Sequence, residues 1–111
     1  MQDEWGHDPG IQKMRRIFSS IEEAQREFLK KMKISPFDAR LRHIREIAKK
    51  IFEQSCAVAH RKELYLDEAE YQIIYLNCLA RAFHIENIEI SKEALPENDK
   101  ALASLVWEAV S

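Results

Sequence analysis

Apolar residues recur along most of this chain at intervals of three and four. Ile11, Met14, Ile17, Phe18, Ile21, Phe28 and Met32 keep that spacing, which gathers them on one side of an α-helix. A first helix is expected over residues 11–32, with Lys, Arg and Glu on its other face. The ten residues before it, MQDEWGHDPG, read as a flexible polar lead-in. A second helix is expected over 36–61. Ser35 is placed to accept from a backbone N–H three residues on, Pro36 suits the first helical position, and Asp38 complements the helix dipole. Phe37, Leu41, Ile44, Ala48, Ile51, Cys56 and Val58 would line its inner face. After the polar link HRKELYL, Asp67 and Glu70 resemble a capping box opening a third helix over 67–85. This one is apolar nearly all round. Tyr71, Ile74, Tyr75, Cys78 and Ala82 mark one face, and Ile73, Leu76, Leu79 and Phe83 another. It is expected to be central, with Asn87 as its C-terminal cap. IENIEIS alternates briefly, a weak strand signal. Beyond Pro96, the residues Leu102, Leu105, Val106 and Val110 outline a last helix over 97–110 that carries Trp107.

Composition narrows the fold class. The chain has 111 residues but only 2 Gly and 3 Pro, too few turn residues for an all-β fold. The expectation is an all-α bundle of about four main helices, one domain over 11–111. No apolar run approaches the ~18 residues that span a bilayer, so no membrane association is expected. The N-terminal ten residues hold three acids and no base, unlike a secretion signal. Cys56 and Cys78 fall inside helical patterns and read as reduced thiols of a cytoplasmic protein; a disulfide stapling the two helices is the alternative.

Charge changes the picture most. The net charge of −2 divides into −3 over residues 1–10, +7 over 11–50 and −6 over 51–111. A basic face over residues 13–50 would suit phosphates or an acidic protein surface. Lys30, Lys31, Lys33, Arg40, Arg42 and Arg45 are the candidate contacts, joined by Arg61 and Lys62 from the later link. The competing reading is internal: a basic and an acidic segment attract each other within the fold or across a dimer. Aromatic interleaving, the mark of single-strand platforms, is missing from the basic stretch.

Catalytic chemistry finds little footing. Cys56 and His60 are four apart on one helix and could begin a metal site with Glu63 or His84, but no HExxH, CxxC or paired ExxH motif completes it. Glycine occurs only at positions 6 and 10, which leaves nothing for a phosphate cradle, and there is no GxSxG turn. His43 reads as a solvated member of the basic face. Glu68 and Glu70 read as partners of the helix dipole. No cofactor is expected.

From Phe37 to Phe83 the chain runs as a long helix, the basic link HRKELYLD and a capped following helix. This segment resembles the long central helix, second loop and third helix of a histone fold, and Arg61, Lys62 and Asp67 match in type. The stretch SPFDARLRHIREIAKK is also similar to the small C-terminal helical domain of the light-independent protochlorophyllide reductase family, with Pro36, Phe37, Arg40 and Glu46 in place. A minimal histone has a shorter first helix and lacks the fourth. These resemblances imply a helical core and no particular activity. The functional expectation is a non-enzymatic helical interaction protein that self-associates or binds a protein with an acidic patch; the alternative is a nucleic-acid-binding protein.

Overall fold

A computed structural model describes residues 9–91, 94 and 100–110, with side chains from Arg15 onward. Four helices follow one another: α1 (Pro9–Met32), α2 (Leu41–Arg61), α3 (Glu68–Ile85) and α4 (Lys100–Val110). Among the described residues there is no strand, so the all-α expectation holds and the strand signal of IENIEIS is overturned. Ile88 N–H turns back to the Phe83 carbonyl at 2.9 Å, which ends α3 rather than starting an extended segment.

Helix α1 begins at Pro9, two residues ahead of expectation, because proline's fixed φ suits a first helical turn. Residues 1–8, the start expected for the last helix at 97–99, and the side chains of Ile11 and Met14 lie outside the described residues. Helix α2 begins five residues later than expected. Ser35 Oγ accepts from Phe37 N–H, two residues on rather than three, at 3.1 Å. Asp38 Oδ1 takes Arg40 N–H at 2.9 Å in the same manner. These short side-chain loops hold residues 35–40 as consecutive turns and compete with helix formation. Phe37 therefore leaves the expected core and stands 94 % exposed. The opening of α3 meets expectation: Asp67 accepts from Glu70 N–H at 2.8 Å and Glu70 returns the bond to Asp67 N–H at 3.0 Å.

Helices α1, α2 and α3 end alike. Lys33, Glu63 and Asn87 follow them with φ of 58°, 57° and 60°. Each donates to the carbonyl three residues back, and the next residue (Ile34, Leu64, Ile88) donates to the carbonyl five back, at 2.9–3.0 Å. This is the Schellman geometry, with an apolar residue following the left-handed one.

Helix α3 is the hub. It packs against α1, α2 and α4, and α2 also packs against α4. Helix α1 runs alongside α3 in the same direction. Gln72 Nε2 reaches Ser20, and Phe28 meets Phe83 with ring centroids 5.6 Å apart. Helix α2 runs the other way: Phe52 sets its edge against Tyr71 and Tyr75, while His43 near its start meets Glu86 just beyond the end of α3. Phe28, Phe83, Ile44, Ile74, Leu79 and Leu105 are fully buried, each such side chain contributing about 1.5–3 kcal/mol on transfer from water. On α4, Trp107 lies beneath Arg81 of α3, whose guanidinium carbon is 5.2 Å from the ring centroid.

Candidate functional site

The eight basic candidates do not form one face. Lys30, Lys31 and Lys33 cluster where α1 ends, and Arg40 and Arg42 stand at the entry to α2. These five make an exposed basic corner. Arg61 and Lys62 sit at the far end of α2, about 28 Å from Arg42 along the helix. Bases in the last turn of a helix are also favoured by its dipole, which gives Lys30, Lys31 and Arg61 a local role.

Three candidates are engaged inside the molecule. Arg40 forks onto Asp38, with Nη2 at 2.8 Å and Nε at 3.1 Å. The side-chain bond and Arg40 N–H together pull the Asp38 carboxyl down to about 2. Arg45 lies against Gln25: with the Gln25 amide oxygen turned towards it, Arg45 Nε donates at 2.9 Å and Nη2 at 3.2 Å. The amide nitrogen then donates to the Tyr75 hydroxyl at 2.5 Å. This orientation is assigned by satisfying both ends of the amide. Lys62 Nζ pairs with Glu108 on α4 at 2.5 Å. Among the described residues, no ion pair involves Lys30, Lys31, Lys33 or Arg42, and one, His43–Glu86 at 2.7 Å, joins the 11–50 segment to the acidic one.

The weak metal pair does not develop. Cys56 is partly buried among Ile17, Phe18, Phe52 and Tyr71, and burial, with Glu53 nearby, pushes its thiol up to about 11. His60 is exposed. Among the described residues, no group of three His, Cys, Asp or Glu could hold a metal ion. Cys78 is buried and free, so no disulfide staples the helices. No helix among the described residues is long and apolar enough to cross a membrane.

A surface that the hydrophobic pattern assigned to the core is more conspicuous. Ile17, Phe18, Phe52, Cys56 and Tyr71 line an almost wholly apolar cleft of about 180 Å³ where α1 and α2 diverge over α3. Ile17 also borders a second recess of about 380 Å³, lined by Arg16, Tyr65, Leu66, Asp67 and Glu68. Phe18 is 52 % exposed and Tyr65 95 %. Phe18 follows Ile17 and so points about 100° away around the helix; once Ile17 and Ile21 face α3, Phe18 faces the gap. That offset was visible in the sequence. The exposure of Tyr65 was not, since a lone aromatic in a link carries no periodicity. Comparison with protein-family models, curated proteins and solved structures gives no match to this chain.

Proposed function

We propose that this chain is a non-enzymatic interaction module that pairs with a second copy of itself through the aromatic face of α1, α2 and the α2–α3 link. The observation that carries this reading is the apolar cleft of Ile17, Phe18, Phe52, Cys56 and Tyr71, with the exposed Tyr65 in the recess beside it; exposed apolar surface of this kind marks interaction sites. Its border bears both signs of charge, Arg16 on one side and Asp67 and Glu68 on the other. In a two-fold contact the same patch meets itself inverted, which sets arginine against carboxylate. Placing the protein in the cytoplasm, where its two free thiols would stay reduced, belongs to the same proposal.

The test is the mass in solution at tens of micromolar. The parent should run as a dimer of the 13.1 kDa chain and Phe18→Asp as a monomer with unchanged helicity. A monomeric parent would overturn the proposal. The basic corner favours a second reading, since Lys30, Lys31, Lys33 and Arg42 have no acidic partner among the described residues. That surface would take a protein with an acidic patch or, in the rival reading, duplex nucleic acid. Phosphate binding weakens steeply with salt, by close to one unit of slope per contact, whereas an apolar dimer holds or tightens. Replacing these four bases with Gln should leave the dimer intact. If it abolishes tight duplex binding at physiological salt, the nucleic-acid reading takes precedence for that corner.

A further inference from the structure

On a different face of α3 from the aromatic cleft, α3 and α4 enclose a recess of about 350 Å³ lined by Asn77, Arg81, His84, Ile90, Trp107 and Val110, with small apolar side chains completing its walls. Arg81 is the sole Lys or Arg in α3, set between Ala80 and the fully buried Ala82. Its Nε is the one buried side-chain nitrogen or oxygen among the described residues that has no hydrogen-bond partner. It also makes no ion pair there. The guanidinium rests on the Trp107 ring, a favourable contact for a cation that gives the Nε donor no acceptor. A position close to the C-terminus of α3 accounts for a positive charge at this point. It does not account for burying a donor without an acceptor, which the great majority of protein polar groups avoid.

We propose that this recess binds a small organic monocarboxylate with an apolar body, its carboxylate held side-on by the Arg81 Nε and Nη donors. The planar guanidinium matches a carboxylate with two parallel bonds. The remaining polar groups favour a single negative charge. Asn77 already gives one amide N–H to the Ile73 carbonyl at 2.8 Å; its second N–H, His84 and the Trp107 indole N–H are further neutral groups able to donate. Ile90, Val110 and the 63 % exposed Trp107 offer an apolar bed for the rest of the molecule. The volume lies at the small end of the range for ligand pockets, about 300–1,000 Å³.

The experiment titrates 3-phenylpropionate into the 111-residue chain and follows the Arg81 Nε–H and Trp107 indole N–H resonances. Both should shift together and saturate. 3-Phenylpropionamide, which lacks the charge, and inorganic phosphate, which lacks the apolar body, should each bind at least tenfold more weakly. A short peptide ending in Phe carries the same carboxylate on a longer chain; if it binds more tightly than the free acid, the proposed class of ligand is wrong. Arg81→Gln should cost at least tenfold in affinity and Arg81→Lys nearly as much. Arg81→Met supplies an independent readout: with the unsatisfied donor removed, it should melt at or above the parent's temperature. Absence of a saturable shift, equal binding of the amide or of phosphate, or a lower melting temperature for Arg81→Met would overturn the proposal. Because α1 and the link take no part in this recess, Phe18→Asp should bind the acid as the parent does, whether or not the parent is a dimer.

Discussion

Buried beside the Ser55 hydroxyl, whose oxygen is 3.8 Å from its sulfur, the Cys78 thiol is pushed up to about 12 by loss of water around its charged form. Cys56 is held at about 11, chiefly by the same desolvation. The thiolate is the reactive species, so a disulfide-exchange reagent near pH ~8 should modify Cys56 slowly and leave Cys78 untouched until the protein unfolds. Prompt labelling of Cys78 in the folded protein would contradict this. The same shifts set a direction for stability. Both folded values lie above the ordinary 9.0, so the contribution is complete below that pH and is lost as pH rises through 9 towards the folded values. The melting temperature should fall over that window, and Cys78→Ala should flatten the fall. At this scale the sequence was a good guide to the cysteines, since each sat within a helical pattern. It misled at Ser35, because a serine hydroxyl serves a two-residue turn as readily as a helix cap, and only the following backbone decides between them.

The helices were legible in kind and in number, and less so at their ends. Asp67 with Glu70 announced the start of α3, and Asn87 its finish, because asparagine tolerates the left-handed region. Lys33 and Glu63 take up that same conformation, yet nothing in a lysine or a glutamate advertises it. The shared signal is instead the apolar residue that comes next, Ile34, Leu64 or Ile88. A non-glycine residue there costs about 1 kcal/mol in backbone strain, and a glutamate adds a like charge to the negative end of α2. Glu63→Gly should therefore stabilise the fold by roughly 0.5–1 kcal/mol, a rise of several degrees in melting temperature for a domain of this size. Asn87→Gly should gain less. Equal or reversed effects in thermal melts would show that the strain is taken up elsewhere.

For the whole molecule, periodicity fixed what had to be buried and left open what would be shared. Ile74, Leu79 and Phe83 had to lie inside wherever α3 went, and they are buried. The fate of Phe18 depended on which helix would cover the second stripe of α1, and none does. Charges follow no period, so the apparent basic face of residues 13–50 resolves into a corner, an arginine bound to Gln25 of α1 and several helix ends. The radius of gyration, 14.8 Å, exceeds the roughly 13 Å expected of a compact chain of this length.

Helix α1 packs mainly on α3, by contacts such as Ser20 to Gln72 that span 52 residues of sequence, and it meets α2 through Gln25 and Arg45. Closing a loop of that length costs entropy before the contact rewards it, and α2, α3 and α4 each touch one another. Helices α2, α3 and α4 thus form a mutually packed three-helix unit, and α1 lies along α3, joined to α2 by the short turns of residues 33–40. In native-state hydrogen exchange, the α1 amides should open with a free energy below that of α2 and α3; uniform protection across all four helices would show a single cooperative unit instead. Were α1 to lift as an arm, it would uncover the surface of α3 on which another chain's α1 could lie. Exchange of that arm between two chains would then lock the pair together by a slow, concentration-dependent route quite separate from simple contact of their surfaces.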